Sequence, residues 1–136
     1  MKIGFLIPCY NIENIINLTN ILSLIELNRK LHFCFINNGS SDNTLGLLEY
    51  LKGKSKVQIN VLDIKKRKKL SAVAKAGIRF LNSTEQFKYI LSMSLDFSLG
   101  FEELMHIIQL RSLKRPDYIN TSYSLRVGID INFKEL

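Results

Sequence analysis

The groups in this chain able to bind or react are concentrated in three polar turns and one basic run. The most informative stretch is Phe33 to Thr44, F-C-F-I-N-N-G-S-S-D-N-T, where an apolar run gives way abruptly to turn formers. Asn37 and Asn38 carry side-chain amides that accept from a base N–H or donate to a ribose or phosphate oxygen. Gly39 and Ser40 turn the chain, and backbone N–H groups at the start of the helix that follows suit an anionic ligand. Pro8-Cys9-Tyr10-Asn11 and Ser94-Leu95-Asp96 are polar turns of the same kind, and Asp63 closes a further apolar run. Asp96 is a carboxylate able to meet Mg²⁺ or Mn²⁺ through substrate phosphates. Lys65 to Lys69, K-K-R-K-K, offers adjacent cations to a phosphate, a nucleic acid or an anionic membrane surface. Each feature alone also has an ordinary reading. Asn, Gly and Ser form turns and caps, charge runs are often only solvated, and a strand-end Asp often only caps.

The spacing of apolar residues says what must position these groups. Lys2 to Ile7 reads as a strand stopped by Pro8, and Ile12 to about Asn28 as a helix built on Ile15, Ile16, Leu18, Ile21, Leu22 and Ile25. That helix is apolar nearly all round and is expected to be well covered. Phe33 to Ile36 is a second strand, Asp42 to about Lys52 a second helix carrying Leu45, Leu48 and Leu51, and Val57 to Leu62 a third strand. Leu70 to Leu81 is a third helix, Phe87 to Met93 a fourth strand, Phe101 to Leu113 a fourth helix, and Tyr118 to Tyr123 a last strand. This alternation predicts one α/β domain over residues 1–136: a Rossmann-like, doubly wound, mostly parallel sheet in three layers. Ligands of such sheets sit outside the carboxyl ends of the strands near the switch point, which is where the polar turns fall.

Hydrophobic content of 46% and charged content of 23% suit a globular domain, and no apolar run is long enough to span a bilayer. Met1 to Tyr10 lacks the layout of a signal peptide. Cys9 and Cys34 are too few for a disulfide framework and read as buried free thiols in a reducing, cytoplasmic setting. Net charge is +7, and most of it sits in Lys65 to Lys69, so the chain has a local basic patch and is otherwise near balance. No aromatic stacking platform accompanies that run, which counts against nucleic acid as its partner and leaves a phosphate or peripheral contact with an anionic lipid surface. His32 falls at the far end of a buried strand and His106 in a helix, so both read as structural. No H-E-x-x-H, C-x-x-C, P-loop or G-x-S-x-G is present, and those enzyme classes have no support.

Taken in order, these residues resemble the N-terminal half of a family-2 glycosyltransferase with the GT-A fold. I-P-C-Y-N-I-E-N, from Ile7 to Asn14, resembles that family's P-x-Y-N-E-x first turn. I-N-N-G-S-S-D-N-T-L resembles its D-D-G-S-x-D-x-T turn, and Ala72, Val73 and Gly77 resemble its N-x-G-K-x-x-A-V-x-x-G segment. Y-I-L-S-M-S-L-D-F-S-L-G-F-E-E-L is similar to the strand bearing the D-x-D signature and the helix after it. Tyr118 to Ile131 resembles the next strand with its G-S-R turn.

The resemblance implies that this half binds a nucleotide-diphosphate sugar together with a divalent cation, Mg²⁺ or Mn²⁺. The implied nucleotide site is Pro8, Tyr10, Asn11, Asn37, Asn38, Gly39, Ser40, Ser94 and Leu95. Asp96 is the implied metal ligand, and Lys66, Arg67, Lys68 and Lys69 are the implied phosphate or anion contacts. The family's acids are altered here: Asn37 and Asn38 stand at the base-binding and ribose-binding positions, and Ser94 stands for the first Asp of D-x-D. Tyr123 stands where the G-S-R arginine would be, and Lys69 or a neighbour replaces the glycine of N-x-G-K. A neutral acceptor bonds more weakly than a carboxylate, and a lone carboxylate holds a cation weakly. The family's C-terminal acceptor half, which supplies the general base, is expected to be lacking. The expected function is therefore a glycosyltransferase-like domain that binds the donor but is weak or inactive alone. The alternative is a non-catalytic relative that binds a nucleotide, an anionic lipid or a protein partner.

Overall fold

The computed structural model describes residues 3–85, 87, 89–94 and 130–135. In chain order these form β1 (Ile3–Cys9), α1 (Leu18–Leu27), β2 (Leu31–Asn38), α2 (Thr44–Lys54), β3 (Asn60–Ile64), α3 (Leu70–Thr84), β4 (Tyr89–Ser94) and β5 (Asp130–Glu135). The strands make one sheet in the order β3-β2-β1-β4-β5. β1 pairs in parallel with both β2 and β4, and β2 in parallel with β3, whereas β5 runs antiparallel to β4. The expected doubly wound, mostly parallel α/β sheet is the architecture observed.

Alternation along the strands divides the core into two faces. Phe5, Ile7 and Cys9 of β1 and Phe33 and Phe35 of β2 pack with Ile21, Leu24 and Ile25 of α1 and Leu48 and Leu51 of α2. The intervening Leu6, Cys34 and Ile36 point the other way, where Val73 and Leu81 of α3 cover them. Consecutive β1, β2 and β3 move outward in one direction, and the chain then returns past β1 to add β4. Crossovers of one hand must place their helices on opposite faces when the direction reverses, so α1 and α2 lie on one side and α3 on the other. Gly77 lets α3 lie close to the sheet, since a Cβ there would come within 2.8 Å of Ile36 Cδ1 and Leu6 Cδ1.

Several boundaries differ from the sequence expectation. Pro8 lies inside β1, opposite Ile36 of β2, and does not end the strand. The pairing with β4 ends at Leu6, so the missing N–H of Pro8 falls beyond that ladder. The first helix starts six residues late, because Ile15 and Ile16 close a separate turn on the Ile12 carbonyl and Asn17 then caps α1 by accepting from Asn20 N–H. It is not covered all round either: Leu27 at its end is 67% exposed, and Ile15 before it 50%. β3 begins at Asn60 and not at Val57, which instead closes a turn on Ser55. β5 had no counterpart in the expected elements, although D-I-N-F-K-E alternates with the period of a strand. The expected helix Phe101 to Leu113 and strand Tyr118 to Tyr123 lie outside the described residues, as do Leu95, Asp96, His106 and Tyr123.

Candidate functional site

Two turns at the carboxyl edge of the sheet are stapled together. Asn11, with φ +49°, accepts on Oδ1 from Ser41 N–H at 2.8 Å, and its own N–H donates to Ser40 Oγ at 3.0 Å. Ile12 N–H donates to Thr44 Oγ1 at 2.9 Å, and Glu13 N–H to Asp42 Oδ2 at 3.2 Å. Thr44 is fully buried, so its hydroxyl is the partner that lets the Ile12 amide leave water. Desolvation pushes the Asp42 carboxyl up, but bonds from the Thr44 hydroxyl and N–H and from Glu13 N–H outweigh it and hold the group below the usual range. Asn11 and Ser40 thus frame the site.

Asn37 and Asn38 end β2 and, as neighbours on a strand, turn to opposite faces. Asn38 Nδ2 donates to the Lys68 carbonyl at 2.9 Å and its Oδ1 accepts from Lys68 N–H at 2.9 Å. Gly39 N–H donates to the Ile64 carbonyl at 2.8 Å. Gly39 has φ +62°, and a Cβ on it would sit 2.2 Å from Arg67 N. The end of β2 is therefore the bed on which the basic loop lies. Asn37 Nδ2 donates to Asp63 Oδ1 at 2.9 Å, while its Oδ1 is buried without a hydrogen-bond partner. Asp63 also pairs with Lys65, and these two partners, Lys65 first, hold its carboxyl below the usual range.

Between these elements lies a cleft of about 510 Å³, lined by Pro8, Cys9, Tyr10, Ile12, Ile15, Asn38, Arg67, Lys68, Lys69 and Leu70. The Arg67 guanidinium stands 3.8 Å above the centre of the Tyr10 ring, a cation–π contact that fixes its position across the opening. Cys9 is buried, and desolvation, with Cys34 second, pushes its thiol far above the usual range; Cys34 is pushed up to about 12 by burial. Neither is a nucleophile at neutral pH. They are free thiols, as expected, and sit on opposite faces of the sheet.

Of the residues singled out in the sequence, Pro8, Tyr10, Asn38, Arg67, Lys68 and Lys69 line the one cleft. Asn11, Gly39 and Ser40 hold its frame, and Asn37 sits beside it against Asp63. Lys66 is exposed outside the lining. Ser94 ends β4, parallel to β1 and so at the same edge, whereas Leu95 and Asp96 lie outside the described residues. His32 is near the amino end of β2, with Nδ1 3.2 Å from Glu85 Oε1 and its ring edge-on to Phe87, away from the cleft. Sequence reasoning missed Ile15 and Leu70 on the rim, because helical spacing assigned both to buried faces. It also missed Thr44 as a fastener, although Asp and Thr two apart at a helix start are a local capping signal. Among the described residues no group of three or more His, Cys, Asp or Glu side chains could hold a metal ion.

A cleft flanked by basic side chains at the carboxyl edge of a doubly wound, mostly parallel sheet defines a class: an α/β domain of nucleotide-binding architecture. The model of glycosyl transferase family 2 matches residues 5–120, and the chain belongs to that family. Comparison with curated proteins returns no match. Among solved structures, S. aureus TarS 1–349 in complex with UDP is similar at TM-score 0.50 and 16% identity, over 82% of this chain and 33% of that one. A mannosyltransferase from Pyrobaculum calidifontis, PcManGT in complex with GDP-Man and Mn²⁺, is similar at TM-score 0.49 and 13% identity, over 85% of this chain and 33% of that one. The chain thus spans about a third of the length of these structures. The likeness to TarS shows the shared fold. No helix among the described residues is long and apolar enough to cross a membrane.

Proposed function

We propose that residues 1–136 form the donor-binding half of a glycosyltransferase and take up a nucleotide-diphosphate sugar in the cleft between the first turn and the basic loop. The observation that carries this reading is the convergence of Tyr10, Arg67, Lys68 and Lys69 on one opening at the carboxyl edge of the sheet, in a chain of family 2. Arg67, Lys68 and Lys69 face the diphosphate, since cations beside phosphate oxygens form short, charge-assisted bonds. Pro8, Tyr10 and the rim take the base. Family membership implies a divalent cation. Among the described residues none fits it: Asp63 is held by Lys65 and Asn37, and Asp96 lies outside them. Calorimetry tests the reading. Uridine or guanosine diphosphate should bind at roughly −4 to −6 kcal/mol, high-micromolar to millimolar. No heat with either nucleotide sinks it.

A second reading, in which the domain binds without catalysing transfer, is favoured by the bonding of Asn38. Its amide is engaged on both its nitrogen and its oxygen by the Lys68 backbone, where the family's acid would read the ligand. On this reading a panel of nucleotide sugars with Mn²⁺ yields no transfer by the chain alone. Robust turnover that Asp96→Ala abolishes would overturn it.

A further inference from the structure

The segment from Lys65 to Thr84 contains seven basic residues and no acidic one, in a chain whose net charge is also +7. All the excess charge of the protein is therefore in this segment, and the rest balances. Its basic residues do not share one task. Arg67, Lys68 and Lys69 line the cleft, and Lys65 pairs with Asp63. Lys66, Lys75 and Arg79 are exposed, and among the described residues none of them has an ion-pair partner. The three cleft cations already exceed the double negative charge of a nucleotide-sugar diphosphate, so the others are surplus to that site.

Fold stability does not account for the surplus. α3 begins at Leu70 behind Lys69, which makes no side-chain cap bond, and its first turn holds no acidic residue. Cations gathered at the positive end of a helix dipole are unfavourable. The same surface leaves apolar area in water: Ile15 is 50% exposed and Leu70 40%, both on the cleft rim beside the cations. On the outer face of α3, Lys75 and Arg79 recur one turn apart and carry the positive surface away from the cleft. A single-stranded nucleic acid would want an open aromatic ring to stack on. The ring at this surface, Tyr10, has one face taken by Arg67, and no second ring accompanies it in the cleft lining. Cations flanked by exposed aliphatic side chains instead match an anionic bilayer, where headgroups meet the charges and the aliphatic residues enter the headgroup boundary.

We propose that the basic face running from Lys66 to Arg79, together with Ile15 and Leu70, docks this chain on an anionic lipid surface. Docking this way brings the mouth of the cleft close to the headgroups. The test is co-sedimentation of the whole chain with vesicles of phosphatidylcholine alone or with about one-third phosphatidylserine added. Binding is expected only with phosphatidylserine and should fall as salt is raised. Lys75→Glu with Arg79→Glu, both outside the cleft, should weaken it by at least about 25-fold, since each cation near such a surface is worth about fivefold. Circular dichroism and nucleotide diphosphate calorimetry of that variant should be unchanged, which separates this surface from the donor site. Lys75→Gln with Arg79→Gln should give a smaller loss in the same direction, and Ile15→Ser with Leu70→Ser should lower binding that persists at high salt. Equal binding to neutral vesicles, no binding to anionic ones, or full binding by the double Glu variant overturns the proposal. So does binding to single-stranded RNA while vesicles remain unbound.

Discussion

The side-chain amide of Asn38 forms paired 2.9 Å hydrogen bonds with the backbone of Lys68, donating to its carbonyl and accepting from its N–H. This pairing ties the end of β2 to the basic loop and makes Asn38 a gauge for where the cleft cations stand. Only an amide offers a donor and an acceptor in that arrangement. Asn38→Asp keeps the acceptor but sets a carboxylate oxygen against the Lys68 carbonyl in a site only 3% exposed. The expected outcome is a loss of about 1–3 kcal/mol in stability and weaker nucleotide diphosphate binding. The family resemblance alone, with an acid at this position, predicts the opposite sign. Chemical denaturation and calorimetry on the one variant decide between them.

Gly39 supports the same junction by having no side chain. At φ +62° an L-residue is strained, at about 1–2 kcal/mol, and the added methyl of Gly39→Ala would also lie 2.2 Å from Arg67 N. Backbone there must move. Gly39→Ala should therefore destabilise by about 2 kcal/mol or more, read from the denaturant midpoint. An unchanged midpoint would show that the loop does not rest on Gly39.

Much of this arrangement was legible in the sequence, and the reasons differ between the parts that were and were not. Although β2 runs on through Asn37 and Asn38, which read as turn formers but pair with the neighbouring strands, its buried run Phe33 to Ile36 is a local signal and was legible. So was the start of α3 at Leu70. The boundary errors come from tertiary pairing: Pro8 is tolerated because the neighbouring ladder stops at Leu6. Apolar spacing in Ile12 to Leu27 hid the break at Asn17, which is set by a single cap bond. What spacing cannot show is which polar atom is already engaged. Asn38 and Lys68 are 30 residues apart, and nothing local announces their bond.

The staple between the turns rests on a buried hydroxyl. Thr44→Val keeps shape and removes the acceptor of Ile12 N–H, leaving a buried donor unpaired. About 1–3 kcal/mol should be lost, and Thr44→Ser should recover most of it. Equilibrium unfolding in urea measures both. Equal loss in the two variants would assign the effect to packing of the methyl.

Asp63 links acid stability to the site. Lys65, then Asn37, lower its folded-state pKa, so its contribution is complete above the unfolded value of roughly 3.9 and is lost as pH falls through the folded value. Urea midpoints should be flat from neutrality down to about pH 5 and fall below it. Asp63→Asn should flatten part of that fall, with Asp42, also lowered, retaining the remainder. An identical acid limb in Asp63→Asn would show that the pairing with Lys65 and Asn37 does not survive in solution.

Arg67 is the cation whose placement is most constrained, because the Tyr10 ring lies 3.8 Å beneath its guanidinium. The ring and not the hydroxyl provides that attraction, so Tyr10→Phe should leave nucleotide diphosphate affinity unchanged. Tyr10→Ala frees the guanidinium and should weaken binding by the cost of holding it in place, about 0.5–1 kcal/mol at an open site. Arg67→Ala removes the charge-assisted bonds themselves and should cost about 1.5–3 kcal/mol, roughly ten- to a hundredfold in Kd. Arg67→Lys should fall between them, since a point charge restores attraction but not the planar fork. Calorimetry with uridine diphosphate across the four variants gives the order. If Arg67→Ala binds as tightly as the native chain, the diphosphate does not lie under this loop.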